Sequence, residues 1–286
     1  MLHTKQNFFE TDDGTILYYE DYGQGEPIVL LHGFCCSSQV FQRNIKGLSQ
    51  NHRLVLMDLR GHGASSKTLS GVTMPRMAQD VKNLIEYLHL EDVTLLGWSM
   101  GAQVALMYWR LFGGYGYVRR LGILDATLYP FSDGDWNFHG NRCFNMDKAN
   151  ARLIGMMANH EADAYAMVDG MVSGEISQED RQWIQQEIMK TPPYIAFSIY
   201  SDFLGRDFTE YIPAVTVPTL FVGSMSPAVN GEAAMDYYVT KSRTEYRLVK
   251  IGPCGHFFFY FHPQRFEQIV LDFMRDFPIQ KGGISR

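Results

Sequence analysis

A serine between two glycines, in the run Gly97-Trp98-Ser99-Met100-Gly101, is the feature of this sequence best suited to do chemistry. An apolar stretch, Val93-Thr94-Leu95-Leu96, precedes it, and a helix-like run from Ala102 follows. A strand that turns sharply into a helix presents the residue at its apex, and G-x-S-x-G in that setting reads as a nucleophile elbow. Glycine is needed on both sides because the two backbones come too close for a Cβ two residues from the serine. Outside that setting the same five residues would be only a glycine-rich turn. A serine hydroxyl becomes a useful nucleophile when a general base takes its proton. Of the nine histidines, His256 is the best placed. It lies in the loop Gly252-Pro253-Cys254-Gly255-His256, after a strand-like run at 246–251 and before the last helical pattern. A loop at a strand's carboxyl end can carry an imidazole over the elbow.

Those two residues need a scaffold that brings distant segments together. With 286 residues and 46% hydrophobic content, the chain fits one large domain or one domain with an insertion. Residues 8–11, a turn at Asp12-Asp13-Gly14 and residues 15–22 read as an opening hairpin. Short apolar runs follow at 28–31, 54–57, 93–96, 121–124, 219–222 and 246–249. They alternate with helical patterns at 40–48, 75–89, 102–112, 231–239 and 263–277, which implies a parallel sheet buried on both faces. The alternation stops between Leu124 and Thr219, where residues from about 131 to 211 read as helical. Ser177-Gln178-Glu179-Asp180 looks like a helix start and Thr191-Pro192-Pro193 like a break. This block is expected to lie as a lid over the sheet's carboxyl edge, where open α/β sheets bind ligands.

Composition excludes several classes. A net charge of −6 lacks the basic face that nucleic acid demands. No like-charge run suggests a membrane-surface patch, and no apolar stretch has transmembrane length. The first residues lack the apolar core of a signal peptide. Cys35, Cys36, Cys143 and Cys254, the first two adjacent, make no disulfide framework, so a cytoplasmic location is expected. Metal chemistry has no H-E-x-x-H and no zinc-ligand cysteine spacing to support it, and no G-x-G-x-x-G follows a strand to hold a dinucleotide. No cofactor is expected. Oligomeric state is not legible, and a homodimer stays open.

Four blocks, in order and spacing, resemble the α/β-hydrolase superfamily along nearly the whole chain. They are Leu31-His32-Gly33-Phe34, the run from Asp58 through Arg60-Gly61-His62-Gly63 to Ser65, the Ser99 elbow, and Gly255-His256. The resemblance implies an α/β-hydrolase fold, a mostly parallel eight-stranded sheet flanked by helices, with an inserted helical cap. The core would be residues 1–129 and 212–286, and the cap 130–211. It implies an oxyanion hole from the backbone N–H groups of Phe34 and Met100, which are donors aimed where charge develops. His32 and His62 would then shape loops. The acid departs from the family pattern. Relatives usually carry aspartate after the seventh strand, where Gly223-Ser224-Met225-Ser226-Pro227 offers Ser226. A neutral serine cannot stabilise an imidazolium as a carboxylate does. Asp125, ending Leu121-Gly122-Ile123-Leu124-Asp125 after the sixth strand, offers a carboxylate instead, an arrangement that resembles certain haloalkane dehalogenases, the fungal lactonase that opens zearalenone and the cofactor-free quinolone dioxygenases. Glu232 and Asp236 are the outside candidates, and Asp125 could instead merely cap its strand.

The expected function is hydrolysis of a small-to-medium apolar or aromatic carboxylic ester or lactone through an acyl-enzyme. Ser99 is the nucleophile, His256 the base and Asp125 the acid. Serine at the elbow, rather than aspartate, disfavours a dehalogenase or epoxide hydrolase. Met156, Met157, Met167, Met171, Tyr165, Phe138, Tyr194, Phe197 and Tyr200 supply apolar surface in the insertion, mostly as its own core. Trp98, Phe34, Trp136 and Phe257 are expected to touch the substrate, with residues 257–261 adding aromatic wall. Rivals are C–C or amide hydrolysis, cofactor-free oxygenation on the same site, and a ligand-binding signalling regulator that keeps the triad.

Overall fold

The alternating apolar runs assemble into a single eight-stranded sheet. The structure is a computed structural model that describes residues 5–113, 116–137, 144–172, 176–224, 232–252 and 254–279. Its strands are β1 (Lys5–Glu10), β2 (Ile16–Gly23), β3 (Glu26–Leu31), β4 (His52–Met57), β5 (Val93–Trp98), β6 (Val118–Leu124), β7 (Thr219–Ser224) and β8 (Tyr246–Ile251). Their order in the sheet is β1-β2-β4-β3-β5-β6-β7-β8. The opening hairpin and the β2–β4 pair are antiparallel, and every other pair is parallel. Alternate residues of one strand serve opposite faces. Val29 and Leu31 belong to the apolar cluster on one side, Ile28 and Leu30 to the cluster on the other, and all four are fully buried. That explains why the parallel strands read as continuous apolar runs.

Helices cover both faces: α1 (Ile45–Leu48), α2 (Met74–Tyr87), α3 (Met100–Phe112), α4 (Met146–Ala158), α5 (His160–Met171), α6 (Gln178–Met189), α7 (Pro193–Leu204), α8 (Glu232–Lys241), α9 (Phe258–Phe261) and α10 (Pro263–Asp276). In α2 the cause is visible. The Thr73 side chain caps the Arg76 N–H, Pro75 fits the first turn, and Met77, Val81, Leu84 and Ile85 form one buried stripe. The helix expected over 40–48 differs. It is a 3-10 segment over Ser38–Asn44 followed by the single turn of α1. The Ser38 N–H is drawn to the Asp58 carboxylate at 2.6 Å, and the Asn44 amide to the Phe259 carbonyl at 3.0 Å. These bonds anchor the two ends of the segment to the β4 loop and to α9.

Helices α4 to α7 fall between β6 and β7 and meet the loops at the carboxyl ends of the strands. Ser37, after β3, donates to the buried Glu187 of α6 at 2.6 Å. The Tyr194 hydroxyl donates to the Lys67 carbonyl at 3.1 Å, and Asp202 accepts the Met74 N–H at 2.8 Å. Arg43 reaches Asp180 at 2.7 Å, and Trp183 stacks on Tyr260 at 5.2 Å. Among the described residues, no helix is long and apolar enough to cross a membrane.

Candidate active site

The turn between β5 and α3 has the dimensions of a nucleophile elbow. Ser99 caps α3 with φ +54° and ψ −120°, a conformation that costs an L-residue energy and persists only where the surroundings enforce it. A Cβ on Gly97 would strike the Gly101 carbonyl and the Ala102 nitrogen, and one on Gly101 would strike the Leu31 carbonyl. Both neighbours are backbone and cannot yield. Five non-glycine described residues have positive φ, and three of them, Cys35, Ser99 and Asp125, sit just past the ends of β3, β5 and β6. Strain is thus concentrated at one sheet edge, as functional sites tend to have it.

Register sets the serine beside the aspartate. Trp98 pairs with Leu124, and Leu124 with Val222, so the next residues on β5 and β6 emerge side by side. The Ser99 N–H donates to the Leu124 carbonyl at 2.9 Å, and the Asp125 N–H to the Val222 carbonyl at 2.7 Å. Asp125 is fully buried and His256 nearly so. The His256 Nδ1 lies 2.7 Å from Asp125 Oδ2, and Asp125 Oδ1 accepts the Ser224 N–H at 2.8 Å. Because a carboxylate only accepts, Nδ1 carries the proton and Nε2 is left free to take one. The loop after Asp125 is pinned by the Gln103 amide on the Thr127 carbonyl at 2.7 Å and by the Tyr238 hydroxyl, which accepts the Leu128 N–H at 3.0 Å.

The remaining acid candidate whose side chain is described, Asp236, does not reach this pair. Asp236 bonds Lys250 at 2.8 Å on the surface. Ser226 and the Glu232 side chain lie outside the described residues, as do Phe138 and Cys143. His32 and His62 tie loops together. His32 Nε2 accepts the Leu59 N–H at 3.0 Å, so its Nδ1 donates to the Gly33 carbonyl at 2.8 Å. His62 Nδ1 lies 3.0 Å from the Arg60 carbonyl. Burial pushes both imidazoles below the ordinary histidine range, which keeps them neutral. In the same turn Asp58 accepts the Ser38 and Ala64 N–H groups, and Arg60 is locked by Asp80 and Asp13.

Phe34 and Met100 flank the elbow. Met100 opens the thirteen-residue α3, whose N-terminal N–H groups favour negative charge. Among the described residues, neither its N–H nor that of Phe34 has an acceptor. The Phe34 ring packs between Tyr200 at 5.8 Å and Phe203 at 6.0 Å, which joins the β3 loop to α7. Arg152 stands over Tyr200 at 5.8 Å and pairs with Asp163 at 3.4 Å.

The other rings expected to touch substrate are placed differently. Trp98 is 1% exposed and Phe257 0%, so neither offers surface to a ligand. Phe258, Phe259 and Tyr260 are buried with them as core rather than pocket wall. Trp136 stacks flat on Tyr237 of α8 at 4.3 Å. In the inserted helices Met156, Met167 and Tyr200 are buried, whereas Met157, Tyr165, Tyr194 and Phe197 face outward. What residue-type reasoning missed are mainly backbone groups, such as the Ser224 N–H. Gln103 carried a faint signal, one helical turn after Ser99 on the same face.

Residues 26–140 match the family model described as alpha/beta hydrolase fold. The chain is 26% identical to the AB hydrolase superfamily protein YisY of Bacillus subtilis over 270 residues, covering 93% of this chain and 98% of that one. It is 34% identical to a non-heme haloperoxidase of Rhodococcus erythropolis over 222 residues, covering 75% and 80%. Among solved structures, an esterase from Exiguobacterium antarcticum superposes with TM-score 0.85 at 25% identity, covering 95% of this chain and all of that one.

Proposed function

Because this chain belongs to the α/β-hydrolase fold family, we propose that it is a serine hydrolase of apolar carboxylic esters or lactones, working through an acyl-enzyme. The observation that carries this reading is the 2.7 Å contact between His256 and the buried Asp125, mounted beside a strained elbow serine. Ser99 Oγ attacks the substrate carbonyl while His256 Nε2 takes its proton. The Nδ1–H bond to Asp125 holds the imidazole in the tautomer that can accept and stabilises the imidazolium that forms. The negative charge on the tetrahedral oxygen falls to the N–H groups of Phe34 and Met100. His256 then protonates the leaving group, and water, activated by the same imidazole, releases the acid. Every proton is returned, so the cycle needs no cofactor.

Substrate character is read from the aromatic cluster beside the elbow, a wall in which Phe34 and Phe203 are partly exposed and Tyr200 is buried behind them. Helices α4 to α7 serve as a lid that excludes water from this wall. Cys35, Cys36 and Cys254 are buried and unbridged, which supports action in a reducing compartment such as the cytoplasm. The Rhodococcus relative is named a non-heme haloperoxidase, which favours a second reading, peroxide-dependent chemistry at the same site. Hydrolysis of nitrophenyl esters and lactones by the wild type and Ser99→Ala tests the proposal. Turnover that depends on Ser99 is expected, and undiminished turnover by Ser99→Ala would overturn it.

A further inference from the structure

His256 is held through its backbone as well as through its ring. Its N–H donates to the Met171 carbonyl at the end of α5, at 2.7 Å. Its own carbonyl accepts the Trp98 indole N–H at 3.1 Å. The Trp98 ring also backs the imidazole, with ring centroids 4.7 Å apart and planes tilted by 44°. An indole nitrogen is a donor only, and a buried one must find an acceptor. The acceptor chosen here is the backbone of the base, 158 residues away.

We infer that Trp98 is a positioning residue for the base: its N–H fixes the His256 carbonyl and its ring the imidazole plane, tying the base to the nucleophile's own turn. The inference rests on the reading of Ser99 and His256 as nucleophile and base. Proton transfer demands that Nε2 be held within hydrogen-bond reach of Ser99 Oγ, about 2.6–3.2 Å. Asp125 fixes one nitrogen of the ring and leaves rotation about that bond. Trp98 removes it, because the same side chain holds both the main chain behind the imidazole and one face of the ring. Since Trp98 directly precedes Ser99, any shift of the elbow carries the base with it. The indole face also lies close enough to favour the imidazolium once it forms. The Met171 carbonyl adds a second tether from the lid.

Trp109 supplies a matched control, since its indole N–H donates to the Ala214 carbonyl at 2.8 Å. Ester turnover and the rate of Ser99 labelling by a fluorophosphonate would be measured for wild type, Trp98→Phe and Trp109→Phe. Trp98→Phe is expected to lose about tenfold or more in kcat and in labelling rate, with KM within about twofold, as misplacement of a reacting group implies. Trp109→Phe should lose stability but keep kcat. If Trp98→Phe does not fold, β-(3-benzothienyl)alanine at position 98 keeps the ring shape without the N–H and is expected to show the same loss. Equal kcat and labelling rates for the Trp98 variant and wild type would overturn the inference while leaving the serine mechanism intact. A wild type that is not labelled at Ser99 would overturn both.

Discussion

Replacing the Asp125 carboxylate with an amide gives a result whose size separates two effects. The Asp125 Oδ1 position accepts the Ser224 N–H at 2.8 Å, so the oxygen of an asparagine is drawn there. Its NH2 group then faces His256 Nδ1 at the 2.7 Å site of the former carboxylate oxygen. Nδ1 can only accept from that group, so the imidazole proton is forced onto Nε2. An Nε2 that already carries a proton cannot take one from Ser99. Loss of a charge-assisted hydrogen bond alone costs about 1.5–3 kcal/mol, roughly 10- to 150-fold in rate. The wrong tautomer brings the total to about 10⁴-fold in kcat, about 5.5 kcal/mol, the size seen for the equivalent change in a chymotrypsin-type triad. Steady-state hydrolysis of a nitrophenyl ester by Asp125→Asn, with Tm measured alongside, reads this out. A folded variant within about threefold of wild type would refute the role of Asp125. A loss of only about 10- to 150-fold would refute the tautomer argument.

Other outcomes follow from separate parts of the molecule. Asp236→Asn is expected to keep kcat within about twofold, because Asp236 is engaged with Lys250 on the surface; a large loss would reopen the search for the acid. Gly97→Ala should lose about 3 kcal/mol or more in a denaturant melt, because the added Cβ meets backbone rather than a movable side chain; a loss under about 1 kcal/mol would contradict the tight elbow. Each methylene added to an acyl chain, from acetyl upward, should raise kcat/KM by up to about fourfold until the apolar wall is covered; a flat series would argue against an apolar pocket. The Arg60 guanidinium holds the Asp13 carboxyl well below the usual carboxylate range. The stability it contributes is therefore present above about pH 4 and is lost as the pH falls below it. Asp13→Asn should lower Tm at pH 7 and flatten its decline below pH 4, and an unchanged slope would show that other carboxylates dominate.

The sheet was legible because its parallel strands are buried on both faces, which leaves runs such as Val93–Leu96 that no surface segment would carry. The elbow was legible because its glycines answer to a steric need that only one backbone geometry creates. Asp125 was named through the resemblance, because Ser226 stands at the usual acid position and some relatives carry the acid after the sixth strand; the register that sets Asp125 beside Ser99 is not written in residue types. Tertiary reach was less legible. The Trp98 and Phe257 rings were expected at the pocket, yet both are buried and packed on each other at 4.8 Å, and the Trp98 N–H goes to the His256 carbonyl. Nothing in an aromatic residue's type tells which face of a loop it will back. The inward and outward methionines of the inserted helices were also inseparable, since Met156 and Met157 are neighbours in sequence but opposite in exposure.

The most direct test is where a covalent probe lands. After treatment with a fluorophosphonate, peptide mapping by mass spectrometry should find one adduct per chain, on Ser99, formed in step with the loss of ester hydrolysis. Ser99→Ala should show neither adduct nor turnover. An adduct on another residue, or full hydrolysis by Ser99→Ala, would contradict the acyl-enzyme mechanism.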